Sequence, residues 1–249
     1  FALGVVNATQ GVGGGTDAVW KYATEDDIPK MIVLNGFDKE DTDFERLLTE
    51  LREHFGTRVF PLSLPVNPGP GFNQLLDVIR SEVITYAGDQ SGKFTEAPAA
   101  GALAGRVAAM HKQLIEYIAE ADDTLMEKWM DKGTLTEEEL RAGLHAAVQK
   151  QSFVPVFCTS ALNNIGVARL MDMIAKYGSS PADRKTVKAQ DAEGRECVVT
   201  LNGSETVCYV FKTMSEAQFG ELSFFRVYSG QVKSGSELYN IDRRVSEKI

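Results

Sequence analysis

Asn35 and Asp38 sit three residues apart in the stretch Val33-Leu34-Asn35-Gly36-Phe37-Asp38-Lys39, after a short apolar run and before a helical pattern. A carboxylate just beyond the C-terminal end of a parallel strand can accept two hydrogen bonds, from the N1–H and N2–H₂ groups of guanine. Adenine offers no such pair, so one Asp selects the base, and an Asn beside it can brace the loop. Ligands of open α/β sheets gather at this end of the strands. The same four residues also suit a plain strand-to-helix turn, because Asn, Gly and Asp all favour turns. The local spacing leaves both readings open.

A second segment has the same placement. Cys158-Thr159-Ser160-Ala161-Leu162 also follows an apolar run and precedes a helical pattern. Small residues there let backbone N–H groups come close to a base oxygen. Ser-Ala after a strand is common, so the segment gains meaning only if the fold brings it next to Asn35 and Asp38.

A third segment imitates a dinucleotide fingerprint without being one. Gly11-Val12-Gly13-Gly14-Gly15-Thr16 places Thr16 where the third glycine belongs, and no acidic residue clearly closes the next strand. Residues 11–15 are read as a mobile loop, and a nicotinamide oxidoreductase is set aside. No G-x-x-x-x-G-K-[ST] loop occurs in the chain. His54, His111 and His145 fall in separate helical patterns without HxxxH spacing, and Thr136-Glu137-Glu138-Glu139 reads as a helix start favoured by the macrodipole. No catalytic residue and no metal ligand is assigned within the chain.

The elements that would position these residues alternate. FALGVVNA precedes TDAVWKYATE; KMIVLN precedes DTDFERLLTELREHF; RVFPLSL follows. Phe44, Leu47, Leu48, Leu51 and Phe55 form one apolar stripe at the helical period. The strands are continuous apolar runs, as expected of a parallel sheet buried on both faces. The rhythm breaks at Pro65 with the loop VNPGPGFN. LLDVI and EVITYAG read as short strands, and helical patterns follow over Leu103–Ile118, over Leu125–Trp129, and from a Thr136/Glu139 capping box through Val148. VPVFCTS and GVARLMDMIAKY restore the α/β order, so VPVFCTS is expected to rejoin the first sheet.

The expected organisation is an α/β domain over residues 1–65 and 151–180, an insertion over 66–150, a polar linker over 181–203, and a partial all-β domain over 204–249 built on TVCYVFKTM, ELSFFRVYSG and SELYNI. Phe1 opens inside a strand, which leads to the expectation that further residues precede it.

Composition narrows the function. A hydrophobic content of 43% is enough for a real core, and a net charge of −9 argues against a broad basic surface for wrapping nucleic acid. The three cysteines show neither CxxC nor zinc spacing and read as reduced thiols of a cytoplasmic protein. No apolar run approaches the ~20 residues needed to span a bilayer.

Taken together these pieces resemble the translational GTPases, specifically elongation factor G, along essentially the whole chain. IPKMIVLNGFDKEDTDFERLLTELREHFG is similar to the segment carrying the family's NKxD guanine motif. The run from EYIAEADD through VPVFCTSALNNIGVARLMDMI is similar to the end of the family's G′ insertion and its SA-containing motif. ELSFFRVYSGQVKSGSELYN is similar to the start of its β-barrel domain II. The resemblance implies a partial P-loop-GTPase-like parallel sheet with a mixed α+β insertion, followed by the start of a β-barrel domain. It implies GTP and GDP as ligands, with Asp38 reading the guanine, Asn35 bracing, and Ser160, Ala161 and Leu162 supplying the loop against the base oxygen. It implies the ribosome as partner, through ribosomal RNA and the stalk protein, a role in translocation, and a cytoplasmic location with no membrane association.

Two residues depart from the family pattern. Gly36 stands where the family has a Lys whose stem covers the base, and Leu162 stands where many GTPases carry another Lys. Lys39 is expected to point elsewhere. Counterparts of the P-loop and of switches I and II are not found, so Mg²⁺ is expected only with residues N-terminal to these, and the 249 residues alone are expected not to hydrolyse GTP. Such a sheet should expose apolar faces and tend to associate. Gly36 also admits another function: a non-catalytic ribosome-binding paralogue whose guanine site has decayed.

Overall fold

The computed structural model describes residues 1–120 and 122–249 and divides into two compact units, Phe1–Ser179 and Ser180–Ile249. The first unit opens with β1 (Ala2–Asn7), α1 (Gly14–Glu25), β2 (Lys30–Asn35), α2 (Phe44–Phe55) and β3 (Val59–Pro61). It continues with β4 (Ser63–Pro65), β5 (Gln74–Asp77), β6 (Glu82–Tyr86), β7 (Phe94–Pro98), α3 (Ala102–Glu120), α4 (Asp123–Lys132) and α5 (Glu137–Gln149). β8 (Val154–Thr159) and α6 (Val167–Tyr177) complete it.

The parallel sheet has the order β1-β2-β8-β3. β8 pairs with β2 on one side and β3 on the other, so VPVFCTS rejoins the first sheet as its sequence suggests. β8 is buried along its whole length and β2 at every position but Asn35, because both strands are central and both faces are covered. β1 departs from that expectation. Among the described residues it pairs only with β2, and alternate side chains face outward, with Val5 62% exposed.

α2 lays its stripe of Phe44, Leu47, Leu48, Leu51 and Phe55 into the core, and Asp43 caps its first turn by accepting the Arg46 amide. α1 meets α2 where Trp20 stacks on Phe55, ring centroids 4.1 Å apart. The glycine run is not a loop throughout: Gly14 and Gly15 lie in the first turn of α1. The Val12 amide just before them donates to Glu50 Oε1 on α2 at 2.9 Å. Glycine can take helical backbone angles at a cost of about 0.5–1 kcal/mol relative to Ala, so the run of glycines does not exclude a helix start.

The inserted segment carries an antiparallel sheet, β4-β5-β6-β7, with α3, α4 and α5 following it. Its first strand, Ser63–Pro65, pairs with β5 and so belongs with the insertion's sheet. Leu62 is the hinge between the two sheets: its amide donates to Val156 on β8 and its carbonyl accepts from Val78 beyond β5. β7 has no apolar signature in the sequence, because it is an edge strand whose residues are almost all exposed. Leu64, Leu76 and Ile84 of the insertion's sheet, Leu114 and Ile118 of α3, and Leu144 of α5 share one buried cluster with the parallel sheet. Thr136 and Glu139 form the reciprocal capping box that opens α5.

The second unit consists of three hairpins. β9 (Thr186–Gln190) pairs with β10 (Glu196–Thr200), β11 (Val207–Glu216) with β12 (Gly220–Ser229), and β13 (Glu237–Asn240) with β14 (Val245–Lys248). The stretch 181–203, read from its polarity as a linker, therefore contains a hairpin. Its turn is held by Asp191, which accepts from the Glu193 and Arg195 amides. Val187, Ala189, Cys197 and Val199 are half-buried and alternate with exposed residues, the period of a half-covered strand. No helix among the described residues is long and apolar enough to cross a membrane.

Candidate functional site

The carboxyl ends of the adjacent strands β2 and β8 lie side by side, with Asn35 registered against Thr159. Each strand then leaves the sheet through one of the two segments singled out in the sequence. Asn35 ties them together. Its Oδ1 accepts from the Ala161 amide at 2.9 Å, and Thr159 Oγ1 lies 3.1 Å from the same oxygen. The backbone adds a second tie, since the Gly36 amide donates to the Thr159 carbonyl at 2.9 Å.

Gly36 turns the chain away from β2 with φ at +104°, a region that L side chains rarely adopt and glycine enters freely. Phe37 next to it is fully buried against Phe44 and Phe72. Its carbonyl accepts from Gly69, in the insertion's first loop, at 2.7 Å. With Phe37 anchored inward, Asp38 is half-buried, and its carboxylate makes no hydrogen bond or ion pair with any described residue. Lys39 closes the turn, its amide donating to the Gly36 carbonyl at 3.1 Å. Its side chain does not point elsewhere: it folds back so that Cδ and Cε lie 3.9 Å from where a Cβ on Gly36 would stand.

The opposite segment is a tight loop. Ser160 and Ile165 exchange backbone hydrogen bonds of 3.0 and 2.9 Å, and Ser160 Oγ accepts from the Asn163 amide. The Ser160 and Ala161 amides, expected from sequence to face a ligand, are thus both engaged within the protein. The Leu162 amide forms no hydrogen bond with the described residues, and the Leu162 side chain is 76% exposed. Two further ties run from this loop to the insertion. Asn164 Nδ2 donates to the Gln90 carbonyl at 3.2 Å. On α6, just after the loop, Arg169 pairs with the buried Asp77 of β5 through Nε at 2.9 Å and Nη2 at 2.6 Å. Asp77 Oδ1 meanwhile accepts from the Ile79 and Arg80 amides, so both oxygens of the carboxylate are used.

Gly166 joins loop to helix at φ +79°, and a Cβ there would stand 2.7 Å from the Cys158 carbonyl. The Cys158 thiol is fully buried, which pushes its pKa well above the usual thiol value, and it donates to the Ser63 carbonyl. It is a packing group, not a nucleophile. Burial likewise pushes the Tyr86 phenol up to about 12. Gly166 and the Asp77–Arg169 pair support the site without any local sequence signature. Only the glycine between an apolar run and a helix could have hinted at a special backbone angle.

Five residues named from sequence, Asn35, Asp38, Ser160, Ala161 and Leu162, therefore converge from two loops at one end of one sheet. Among the described residues the Asp38 carboxylate on one loop and the Leu162 amide on the other have no hydrogen-bond partner, which leaves one acceptor and one donor for a ligand. The described residues hold no group of three or more His, Cys, Asp or Glu that could bind a metal ion.

Residues 1–180 match the family described as Elongation factor Tu GTP binding domain. Over its whole length the chain is 30% identical to elongation factor G of Mycoplasma pneumoniae and 28% identical to elongation factor G of Mycoplasma genitalium. It spans 36% of the length of each of these relatives. Among solved structures, a crystal structure of a Thermus thermophilus protein superimposes with a TM-score of 0.76 at 29% identity, covering 94% of this chain and 32% of that one.

Proposed function

We propose, for a chain that belongs to the Elongation factor Tu GTP binding domain family, that the β2 and β8 loops read the guanine base of GTP and GDP. Asp38 accepts the N1–H and N2–H₂ donors, the Leu162 amide meets the base oxygen, and Asn35 holds the two loops at a fixed separation. Ser160 and Ala161 shape the loop that presents Leu162. The single observation that carries this reading is the Asn35–Ala161 hydrogen bond, which ties together the loop that carries Asp38 and the loop that carries Leu162.

In this reading the chain's own contribution is to bind and orient the base. The domain roles follow from the same reading: residues 1–65 and 151–180 form part of the G domain, 66–150 its G′-like insertion, and 204–249 part of domain II. The parent activity is GTP-driven translocation on the ribosome in the cytoplasm, with ribosomal RNA and the stalk protein as partners. That both relatives are elongation factor G proteins supports that reading.

The test compares GDP with IDP, which lacks only the 2-amino group, by fluorescence titration of the intact gene product. The native protein should prefer GDP by roughly 10-fold, as expected for one hydrogen bond to a charged acceptor, and Asp38→Ala should erase that preference. Equal affinity for GDP and IDP in the native protein would overturn the reading. Gly36 favours a second reading, a ribosome-binding paralogue with a decayed guanine site. That protein would bind ribosomes while showing neither GDP binding nor ribosome-stimulated GTP turnover.

A further inference from the structure

We infer that Asn164 positions the loop that presents the Leu162 amide, and that it does so by gripping the β6–β7 turn of the insertion at Gln90. This role rests on the guanine-base reading above and adds to it a residue that meets no nucleotide itself.

Leu162 lies between two anchored positions of the loop 160–165. Asn35 holds one shoulder through the Ala161 amide. Asn164 holds the other: its backbone amide donates to the Ala161 carbonyl at 3.3 Å, and its side-chain Nδ2 donates to the Gln90 carbonyl at 3.2 Å. Asn164 stands at φ +55°, a left-handed conformation that Asn enters more readily than most residues.

The turn that Asn164 grips is shaped to receive it. Gln90 and Gly92 are themselves left-handed, at φ +62° and +71°. The Ser91 amide donates to the Asp89 carboxylate at 3.0 Å, and the Lys93 amide to Ser91 Oγ at 3.2 Å. A Cβ on Gly92 would stand 2.6 Å from Asn164 Nδ2, so glycine leaves room for the approach. The insertion thereby reaches both loops of the site, since its Gly69 amide also holds the carbonyl of Phe37, the residue before Asp38. A donor whose loop is held on both sides has less freedom to lose when a base oxygen arrives, which favours binding.

The contact with the base oxygen is separable from the Asp38 contact. In 6-thio-GDP sulfur, a weaker acceptor, replaces that oxygen, while the N1–H and N2–H₂ donors remain. IDP keeps the oxygen and lacks the 2-amino group. Asn164→Asp preserves size and tolerance of positive φ but turns an acceptor toward the Gln90 carbonyl. Gly92→Ala pushes Asn164 away from the opposite side and leaves every polar group of the loop 160–165 in place.

The native protein and both variants would be titrated with GDP, IDP and 6-thio-GDP near neutral pH, as intact gene products, alongside thermal melts. The native protein should prefer GDP over 6-thio-GDP by roughly 3- to 10-fold, as expected for one neutral hydrogen bond. Each variant should bring that ratio toward one and keep the native preference for GDP over IDP. If both variants retain the native ratio of GDP to 6-thio-GDP, the base site stands and the role of Asn164 falls. A loss of both preferences together with a lowered melting temperature overturns it too, because a loosened fold accounts for that result. If the native protein discriminates against IDP but not against 6-thio-GDP, the Asp38 contact stands and the role of Asn164 falls. If it discriminates against neither, the base-site reading fails and this inference fails with it.

Discussion

Asn35 Oδ1 and the Ala161 amide meet at 2.9 Å although 126 positions separate them in the chain. The bond exists because β8, after the whole insertion, returns to lie beside β2. It joins the two loops of the site at the one point where both leave the sheet. Thr159 Oγ1 approaches the same oxygen, so one amide side chain holds the loop ends of two strands.

Removing that tie should weaken nucleotide binding without unfolding the sheet. Asn35→Ala deletes an acceptor shared by two donors, each interaction worth about 0.5–1.5 kcal/mol. GDP affinity should fall by roughly 5- to 150-fold, measured by equilibrium titration. The far-UV circular dichroism spectrum should not change. Unaltered GDP affinity would show that the tie is dispensable to the site.

Gly166→Ala is a stability test. The residue combines positive φ with a Cβ position 2.7 Å from a backbone carbonyl of β8, and backbone cannot move aside as a flexible side chain can. A loss of at least about 1–3 kcal/mol is expected, seen as a lower urea midpoint. A midpoint equal to that of the native protein would mean that the loop relaxes freely.

The Asp77–Arg169 pair ties α6 to the insertion from a nearly dry position, with side-chain exposures of 4% and 8%. Truncating either partner strands a buried charge, so Asp77→Ala or Arg169→Ala should cost about 3–5 kcal/mol. Replacing both with apolar residues of similar volume, Asp77→Leu with Arg169→Met, should cost much less, although the Ile79 and Arg80 amides lose their acceptor. Denaturant titrations of the two single variants and the double variant decide it. Additive losses would show that the two charges do not depend on each other.

The α5 cap supplies a pH dependence. Lys128 bonded to Glu139, together with the Thr136 amide, holds the Glu139 carboxyl down at about 2, against an ordinary 4.5. The unfolded chain therefore binds the proton first as pH falls. The cap's contribution is fully present above about pH 4.5 and is lost as pH drops through about 2. Glu139→Gln keeps the capping acceptor but not the charge. Its unfolding midpoint should fall less than the native one between about pH 5 and about pH 2.5. Parallel acid profiles for the two proteins would count against the assignment.

What the sequence determined by itself is local or periodic. The stripe on α2, the buried runs of β2 and β8, the capping box of α5 and the two loop segments after β2 and β8 all follow from side-chain period and turn chemistry. These are properties of neighbouring residues, which is why Asn35, Asp38, Ser160, Ala161 and Leu162 could be named together. The polar edge strand β7 and the hairpin within residues 181–203 were hidden, because edge and half-covered strands lack the continuous apolar run that marks a buried one, whereas β1 carries such a run and is nonetheless half exposed. Only the tertiary structure decided that Asn35 reaches Ala161, that Asp77 reaches Arg169, and that Lys39 bends back over Gly36. Each depends on a backbone path set by distant packing: Phe37 wedged between Phe44 and Phe72, Gly166 pressed against β8, and two sheets sharing one core. Spacing along the chain shows which groups a site could contain. Which atoms are engaged and which are left for a ligand depends on that packing.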